Sequence, residues 1–414
     1  MRLGEIRNEA ATPYGKPLDG VRVLALEQMQ ALPWGTQLLA RLGADVVKVE
    51  HPTAGESGRG SLPAIEDPQG RRVGATFLRN NLNKRSVGID LKSERGRDLV
   101  KRLAPGFDVF AENFKGGTLT RLGLGYDDIA VVHPGVVYLS VSGFGNTLPS
   151  PYRDWPAYAA IAEAMSGIYD FKRSGDQPPV AAPVGALGDI STAMFGVIGV
   201  LAALRHRDRT GLGQYVDVAM LDAMISMTDI VTQFWSFGLE RGNLGPLIMH
   251  GFRAADGFFI MQVQREHQFG AMAAAVGHPE WTDDPRFATR EGWLEHLESV
   301  IRPGVEGWAA DKTSLEVTQM LSAAGVAAGP CFTDEQVVHD PHVAAHGMLV
   351  EVPRPDPSEP PLLQPGNPIK LSRMAEGPET RVPWLGEHTN DVLGAELGLT
   401  DAELGTLRSE GVIG

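Results

Sequence analysis

One carboxylate stands where chemistry can be done. Asp189 lies in Pro183-Val184-Gly185-Ala186-Leu187-Gly188-Asp189-Ile190, where a Gly-containing segment turns into an apolar helix. Two readings are open. As a helix N-cap, Asp189 would accept backbone N–H bonds from the first turn. As a reactive acid, it sits where a helix N-terminus favours an anion and offers donors to an oxyanion forming beside it. Pro183 and Gly185 would leave a small, irregular approach for a ligand. Gln30 is a second polar candidate, in Glu27-Gln28-Met29-Gln30-Ala31-Leu32-Pro33; taken alone it is a solvated loop glutamine. Lys84 and Arg85 either attract phosphates or are exposed. Cys331, the only cysteine, stands in Gly329-Pro330-Cys331-Phe332 without metal-ligand spacing and reads as a small buried hydrophobe. No metal is expected.

The elements that must position these groups follow from hydrophobic pattern. Val21–Leu26 reads as a strand, Pro33 to Leu42 as a helix with Pro in its first turn and Gly43 as its stop, and Val46–Glu50 as the next strand. That is a βαβ unit, and it predicts a parallel sheet with nucleotide-binding topology. The turn after the first strand carries no G-x-G-x-x-G, and Gly143-Phe144-Gly145 is too short a match, so an NAD enzyme is excluded. His51 to Gly74 is a long polar loop. Asn83 to Lys92 brings basic residues up to a short strand, and a helix runs from Ser93 to about Leu103. Strands are expected at Asp108–Glu112, Val136–Val141 and Tyr215–Ala219. Asn113-Phe114-Lys115 and Ser142-Gly143-Phe144-Gly145 follow strand ends, where open α/β sheets bind ligands. After Asp189, Ile190, Met194, Val197, Ile198, Leu201 and Leu204 recur at helical spacing up to Arg205-His206-Arg207 and Gly211. A Met-rich helix covers Leu221 to about Phe237. From about Phe252 to Phe332 the chain reads as a smaller domain, with a hairpin at Asp256-Gly257 and helices near 268–276, 294–306 and 313–324. The tail, including Leu385-Gly386-Glu387-His388-Thr389, returns to the first domain.

Composition narrows the partners. A chain of 414 residues is long enough for two domains, and 43% hydrophobic content supplies ample core. The net charge of −14 argues against nucleic acid. The charge is uneven: residues 1–125 hold 19 Lys+Arg against 14 Asp+Glu, a net of +5, whereas the remainder is −19. A mildly basic N-terminal third suits a small polyanion as well as it suits chance clustering. No apolar run is read as long enough to span a bilayer, so no membrane partner is expected. The first residues lack the apolar stretch of a signal peptide. A lone cysteine allows no internal disulfide and fits a cytoplasmic protein.

Taken in order, several segments resemble the class III CoA-transferases, the formyl-CoA transferase and carnitine CoA-transferase (CaiB/BaiF) group. They are Pro17-Leu18-Asp19-Gly20-Val21-Arg22-Val23-Leu24, Leu42-Gly43-Ala44-Asp45-Val46-Val47-Lys48-Val49-Glu50, Asn83-Lys84-Arg85-Ser86, Glu112-Asn113-Phe114, Gly188-Asp189, Thr210-Gly211-Leu212-Gly213-Gln214, Asp340-Pro341 and Leu385–Thr389. Each is weak alone; over this length the set is specific. The resemblance implies an α/β fold: a Rossmann-like large domain with a parallel sheet, plus a smaller α+β domain. It divides the chain into 1–225 (large CoA-binding domain, first part), 226–340 (small domain) and 341–414 (linker and return). It also implies an interlocked homodimer, with a homologous subunit as the variant assembly.

The chemistry it implies is CoA transfer from an acyl-CoA thioester, such as succinyl-CoA, to a carboxylic acid, with coenzyme A as substrate and no permanently bound cofactor. Asp189 matches the family's nucleophile, which forms an acyl anhydride and then an aspartyl-CoA thioester. Gln30 matches the glutamine beside that anhydride. Ala31, His51, Ile89, Asp90, Leu91, Lys92, Asn113, Phe114, Lys115, Arg121, Ser142, Gly143, Phe144 and Gly145 match segments that hold CoA. Three positions depart from the formyl enzyme. His51 replaces an arginine, and a lysine is missing at Ser142, which leaves phosphate contacts to groups such as Arg59. The mobile tetraglycine loop becomes Arg241-Gly242-Asn243-Leu244-Gly245-Pro246, which points away from oxalate/formate exchange and toward a larger acyl group. Two rivals share the fold. A racemase needs a His where Tyr158 falls, and no His lies between His133 and His206. A non-catalytic CoA-binding subunit would have no use for Asp189 and Gln30 together.

Overall fold

Short aliphatic runs become six parallel strands, β1 (Arg22–Leu26), β2 (Asp45–Glu50), β3 (Lys84–Gly88), β4 (Val109–Glu112), β5 (Val137–Ser142) and β6 (Gln214–Ala219), ordered β3-β2-β1-β4-β5-β6. This computed structural model describes the chain apart from Pro68, Lys172, Ser174 and residues 182–184 and 240–244. It forms two units, Met1–Phe237 with Ala344–Gly414, and Gly238–Val343.

In the first unit the sheet is covered on both faces. Side chains alternate along β1. Val23 and Ala25 pack with Leu38, Leu39, Val200 and Leu204 on one face, and Leu24 and Leu26 with Leu99, Val100, Val392 and Leu404 on the other. The first face is covered by α1 (Ala31–Arg41), the second by α3 (Glu94–Leu103), with α2 (Ala75–Asn80) between them in sequence. α1 starts two residues before the expected Pro33. Pro33 is still within the first turn, where no N–H has an intrahelical partner to lose. Gly43 ends this segment at φ +114°, a conformation that favours glycine. The C-terminal helices Thr389–Leu397 and Asp401–Ser409 close the second face. The tail also pairs with β3: His388 N–H donates to the Ser86 carbonyl at 2.9 Å, and Gly88 N–H to Thr389 Oγ1 at 3.0 Å.

Three further helices follow, α4 (Ala159–Met165), α5 (Leu187–Thr210) and α6 (Met220–Ser226). In α5 the expected inward stripe is divided. Val197 and Leu204 are buried among Ala193, Gly196, Val200 and Ala203, while Met194, Ile198 and Leu201 face outward. Small residues win the inward face because α1 and α4 lie close. A side chain at Gly188 would meet the Ala159 backbone at 3.0 Å. The expectation of no membrane-length apolar segment needs correction: α5 is 24 residues long, its most apolar 18-residue stretch has a mean hydropathy of 1.8 and so passes by length and composition, and half of that stretch is buried within the protein. The expected Met-rich helix to Phe237 is broken after Ser226, with a π-helical turn at Ile230–Trp235.

The second unit carries β7 (Ile248–Ala254), β8 (Gly257–Val263) and β9 (Ala327–Pro330) as an antiparallel sheet ordered β9-β8-β7. Phe252, Phe259, Met272, Trp281 and Trp293 fill its core. The helix expected over 294–306 is in fact three pieces, Arg290–Glu295, a π-helical turn Leu297–Ile301 and Arg302–Ala309, with Pro303 in the first turn of the last piece. Thr313 and Glu316 form a capping box. Cys331 is exposed, not buried: it follows β9 as an unpaired thiol.

Candidate active site

The strand order places a topological switch between β1 and β4, where helices leave in opposite directions and a crevice opens. Two side-chain bonds tie the strand ends together there. Gln28 N–H donates to Asn113 Oδ1, and Asn113 Nδ2 donates to the Gln28 carbonyl, both at 2.9 Å. Above them lies a cleft of about 310 Å³ walled by the turn after β1, the Asn113–Gly116 turn, the Ser142–Phe144 turn and Asp189.

The turn after β1 is held from below by buried charges. Lys84, fully buried, donates to Glu27 Oε1 at 2.7 Å and to the Pro33 carbonyl at 2.9 Å. Lys48 donates to the Glu27 carbonyl at 3.1 Å. Burial pushes the Lys84 ammonium down to about 8, against the pull of Glu27. Burial also works to raise the Glu27 carboxyl, but the two lysines outweigh it and hold Glu27 below its usual range. Met29 sits at φ +59°, uncommon for a side chain of its size, and its N–H is fixed by Glu56 Oε2 at 2.9 Å. The next residue, Gln30, is the N-cap of α1 and lines the cleft.

Asp189 is the third residue of α5, not its N-cap; Ala186 holds that position without a side-chain bond. The N-cap expectation fails because the helix begins at Leu187. Among the described residues the Asp189 carboxylate has no hydrogen bond and no ion pair. Burial, then the nearby charge of Glu163, push its pKa up to about 6, while Arg79 opposes. It walls two clefts at once: the first, and a second of about 490 Å³ that shares Gln30 and Tyr158 and adds Arg79 and Glu163. A half-buried, unpartnered carboxylate that shares both clefts with Gln30 suits a nucleophile that acquires an acyl group.

Of the sequence candidates, Gln30, Ala31, Asn113, Phe114, Lys115, Ser142, Gly143, Phe144 and Asp189 meet in the first cleft. His51, Ile89, Asp90, Leu91, Lys92, Arg121 and Gly145 are outside its wall. His51 Nδ1 accepts from Ala54 N–H at 3.2 Å and caps its own turn. Ile89 is buried core, and Asp90 N–H bonds the Val412 carbonyl at 2.9 Å. Arg121 is exposed and donates to Thr118 Oγ1 at 3.1 Å. Gly145 turns at φ +84° with its N–H on Ser142 Oγ.

Two cations expected near phosphate are committed elsewhere: Lys84 as above, and Arg59 to both oxygens of Glu50 at 2.7 and 2.6 Å. Arg85 pairs with Asp45. The sequence reading missed Arg79, Glu163 and Arg153. Nothing local marks them, since each reaches the clefts only through packing of distant elements. The Pro183 approach and residues 241–244 of the tetraglycine counterpart lie outside the described residues.

The chain is matched over residues 18–389 by the family model described as CoA-transferase family III. It is 35% identical to a succinyl-CoA–D-citramalate CoA-transferase of Chloroflexus aurantiacus over 96% of this chain and 98% of that one. It is 36% identical to a formyl-CoA:oxalate CoA-transferase of Streptomyces avermitilis, over 96% of this chain and all of that one. A CaiB/BaiF family protein from Brucella suis superposes with a TM-score of 0.78 at 33% identity, over 92% of this chain and all of that one. With the switch-point cleft and a mixed α/β fold alongside a match of this extent, the chain belongs to CoA-transferase family III and is an enzyme of the CoA-transferase type.

Proposed function

We propose that Asp189 carries the CoA transfer covalently. An Asp189 oxygen attacks the donor thioester carbonyl, the C–S bond breaks, and CoA thiolate leaves a mixed anhydride. The thiolate then attacks the aspartyl carbonyl, releases the donor acid and forms an aspartyl-CoA thioester. The acceptor carboxylate attacks that thioester, and the returning thiolate takes the new acyl group and frees Asp189. Gln30 donates its amide to the oxygens of these intermediates. The observation that supports this best is the Asp189 carboxylate itself, unpartnered, raised to about 6 and on the wall of both clefts beside Gln30.

Coenzyme A is assigned to the first cleft, along Asn113–Lys115 and Ser142–Phe144. Lys115 and Arg153 are exposed cations on its wall, placed to meet phosphates. CoA is longer than the cleft, and its nucleotide end is assigned to the strand ends beyond, at His51, Asp90–Lys92 and Arg121, with Ile89 excluded by its burial in the core. The donor is a dicarboxylic acyl-CoA of the succinyl type, as in the name of the Chloroflexus relative. The assembly is a homodimer of interlocked chains. In the first unit Ile198, Trp235 and Phe237 are 60%, 82% and 80% exposed, too apolar a set to leave in water. The lone cysteine suits a reducing compartment, and the enzyme is assigned to the cytoplasm.

The Asp189→Ala variant tests the nucleophile. Transfer is expected to fall by at least about 10⁴-fold, as for removal of other covalent nucleophiles, while CoA binding measured by calorimetry persists. Transfer at the wild-type rate in that variant contradicts the assignment.

A further inference from the structure

Arg79 lies at the end of α2, and its guanidinium has no hydrogen bond and no ion pair among the described residues. Its Nη1 is shut off from solvent with nothing to donate to. Arg79 is half-buried; the more deeply buried guanidiniums of this unit have carboxylate partners, Arg59 holding Glu50 through two bonds and Arg41, whose Nε also lacks a hydrogen bond, pairing with Glu379 at 3.0 Å and donating to the Pro365 carbonyl at 2.7 Å. An unmatched buried donor costs free energy, and one on the wall of an open cleft can be matched by a molecule bound there.

The position of Arg79 identifies that partner. Arg79 walls the 490 Å³ cleft together with Asp189, Gln30 and Glu163. It senses the Asp189 charge but forms no ion pair with it, so the two groups face one space with room between them. Glu163, the other charged group there, is already used: its Oε1 accepts from Gly188 N–H at 2.9 Å and its Oε2 from the Tyr169 hydroxyl. A planar fork of N–H donors on the wall of the cleft that holds a reactive carboxylate, yet not paired with it, matches a second carboxylate on the same small molecule, held bidentately.

We propose that Arg79 binds the distal carboxylate of a dicarboxylic substrate whose other carboxyl reacts at Asp189. Arg79 is thereby the residue that selects dicarboxylic over monocarboxylic acids. The inference rests on Asp189 being the acylated group.

The test uses the full chain with chain-length-matched pairs, succinate against butyrate and glutarate against valerate, as acceptors and as CoA thioesters. Hydroxylamine trapping with each thioester first reports whether Asp189 is acylated; if none labels it, the reading beneath falls and this inference with it. With labelling established, wild type is expected to favour the diacid in kcat/KM by about 30- to 100-fold, the worth of a charge-assisted bond pair. In Arg79→Gln that ratio is expected to collapse to within about threefold of one, chiefly through KM, and Arg79→Lys to fall between. Equal use of diacid and monoacid by wild type overturns the inference, and this arm needs no variant to fold. A ratio retained in folded Arg79→Gln overturns it equally.

Discussion

The raised carboxyl of Asp189 has consequences that can be measured with and without substrate. Only the ionised form attacks a thioester, and its pKa is pushed up to about 6 by burial and by Glu163. The rate kcat/KM is therefore expected to be flat above about pH 7 and to fall tenfold per unit below about pH 6. The same shift acts on stability. The folded chain holds this proton more tightly than the unfolded chain, whose carboxyl titrates near 3.9. The neutral group's stabilising contribution is full below about pH 4 and is lost as pH rises through 6. At pH 7.5 ionisation thus costs roughly 1–3 kcal/mol, and Asp189→Asn, inactive, is expected to melt a few degrees above wild type. A lower melting temperature for that variant contradicts the electrostatic account. At this scale the sequence is legible only in part. Asp189 stands out because it begins an apolar helix, whereas Gln30, a loop glutamine by its own pattern, stands out only through the family resemblance. Arg79 and Glu163 do not, because their place beside Asp189 is made by contacts across more than a hundred residues and across 26, respectively.

At the scale of elements, the turn after β1 shows how buried charge replaces a glycine fingerprint. Glu27, Lys84, Lys48 and Glu56 fix Gln28–Gln30 from beneath. Replacing Lys84 by Met removes the closest partner of a fully buried carboxylate. The expected loss is about 3 kcal/mol in urea unfolding, with transfer impaired because Gln30 loses its footing. A neutral effect on both would show that the network does not position the turn. Five strands of the parallel sheet match their expected spans within one residue because aliphatic runs such as Val46-Val47 and Val137–Val141 are unmistakable, whereas the short strands Ala64–Glu66 and Arg72–Gly74 lie in a stretch that reads as loop because it has no such run. The roles of Lys84 and Arg59 were not predicted. A cation in a strand or loop reads as exposed until its acid is known, and Glu27 lies 57 positions before Lys84. The α5 stripe departs from its helical spacing for a related reason: close backbone approach at Gly188 and Gly35 favours small residues inward, so Met194, Ile198 and Leu201 face out.

At the scale of the whole molecule, the βαβ start predicted a parallel sheet. Its order and the position of the switch point emerge only from pairing β1 with β4, whose partners Leu26 and Glu112 are far apart in sequence. The proposed interlocked dimer is testable as topology. Linked chains cannot separate without unfolding, so tagged and untagged proteins mixed after purification are expected to yield no mixed dimer over days, and to yield it after denaturation and refolding. The particle is expected to sediment at twice 44.5 kDa. Free exchange under native conditions, or a monomer, contradicts the interlocked assembly and leaves the exposed apolar residues of α5 and of Ile230–Trp235 to another partner. The account as a whole depends on one bond forming at one side chain. Incubating the enzyme with an acyl-CoA, quenching with hydroxylamine and mapping peptides by mass spectrometry reads that bond directly. A hydroxamate on Asp189, formed only when thioester is present, is the predicted result; turnover with an unmodified Asp189, or with the label on another residue, contradicts it.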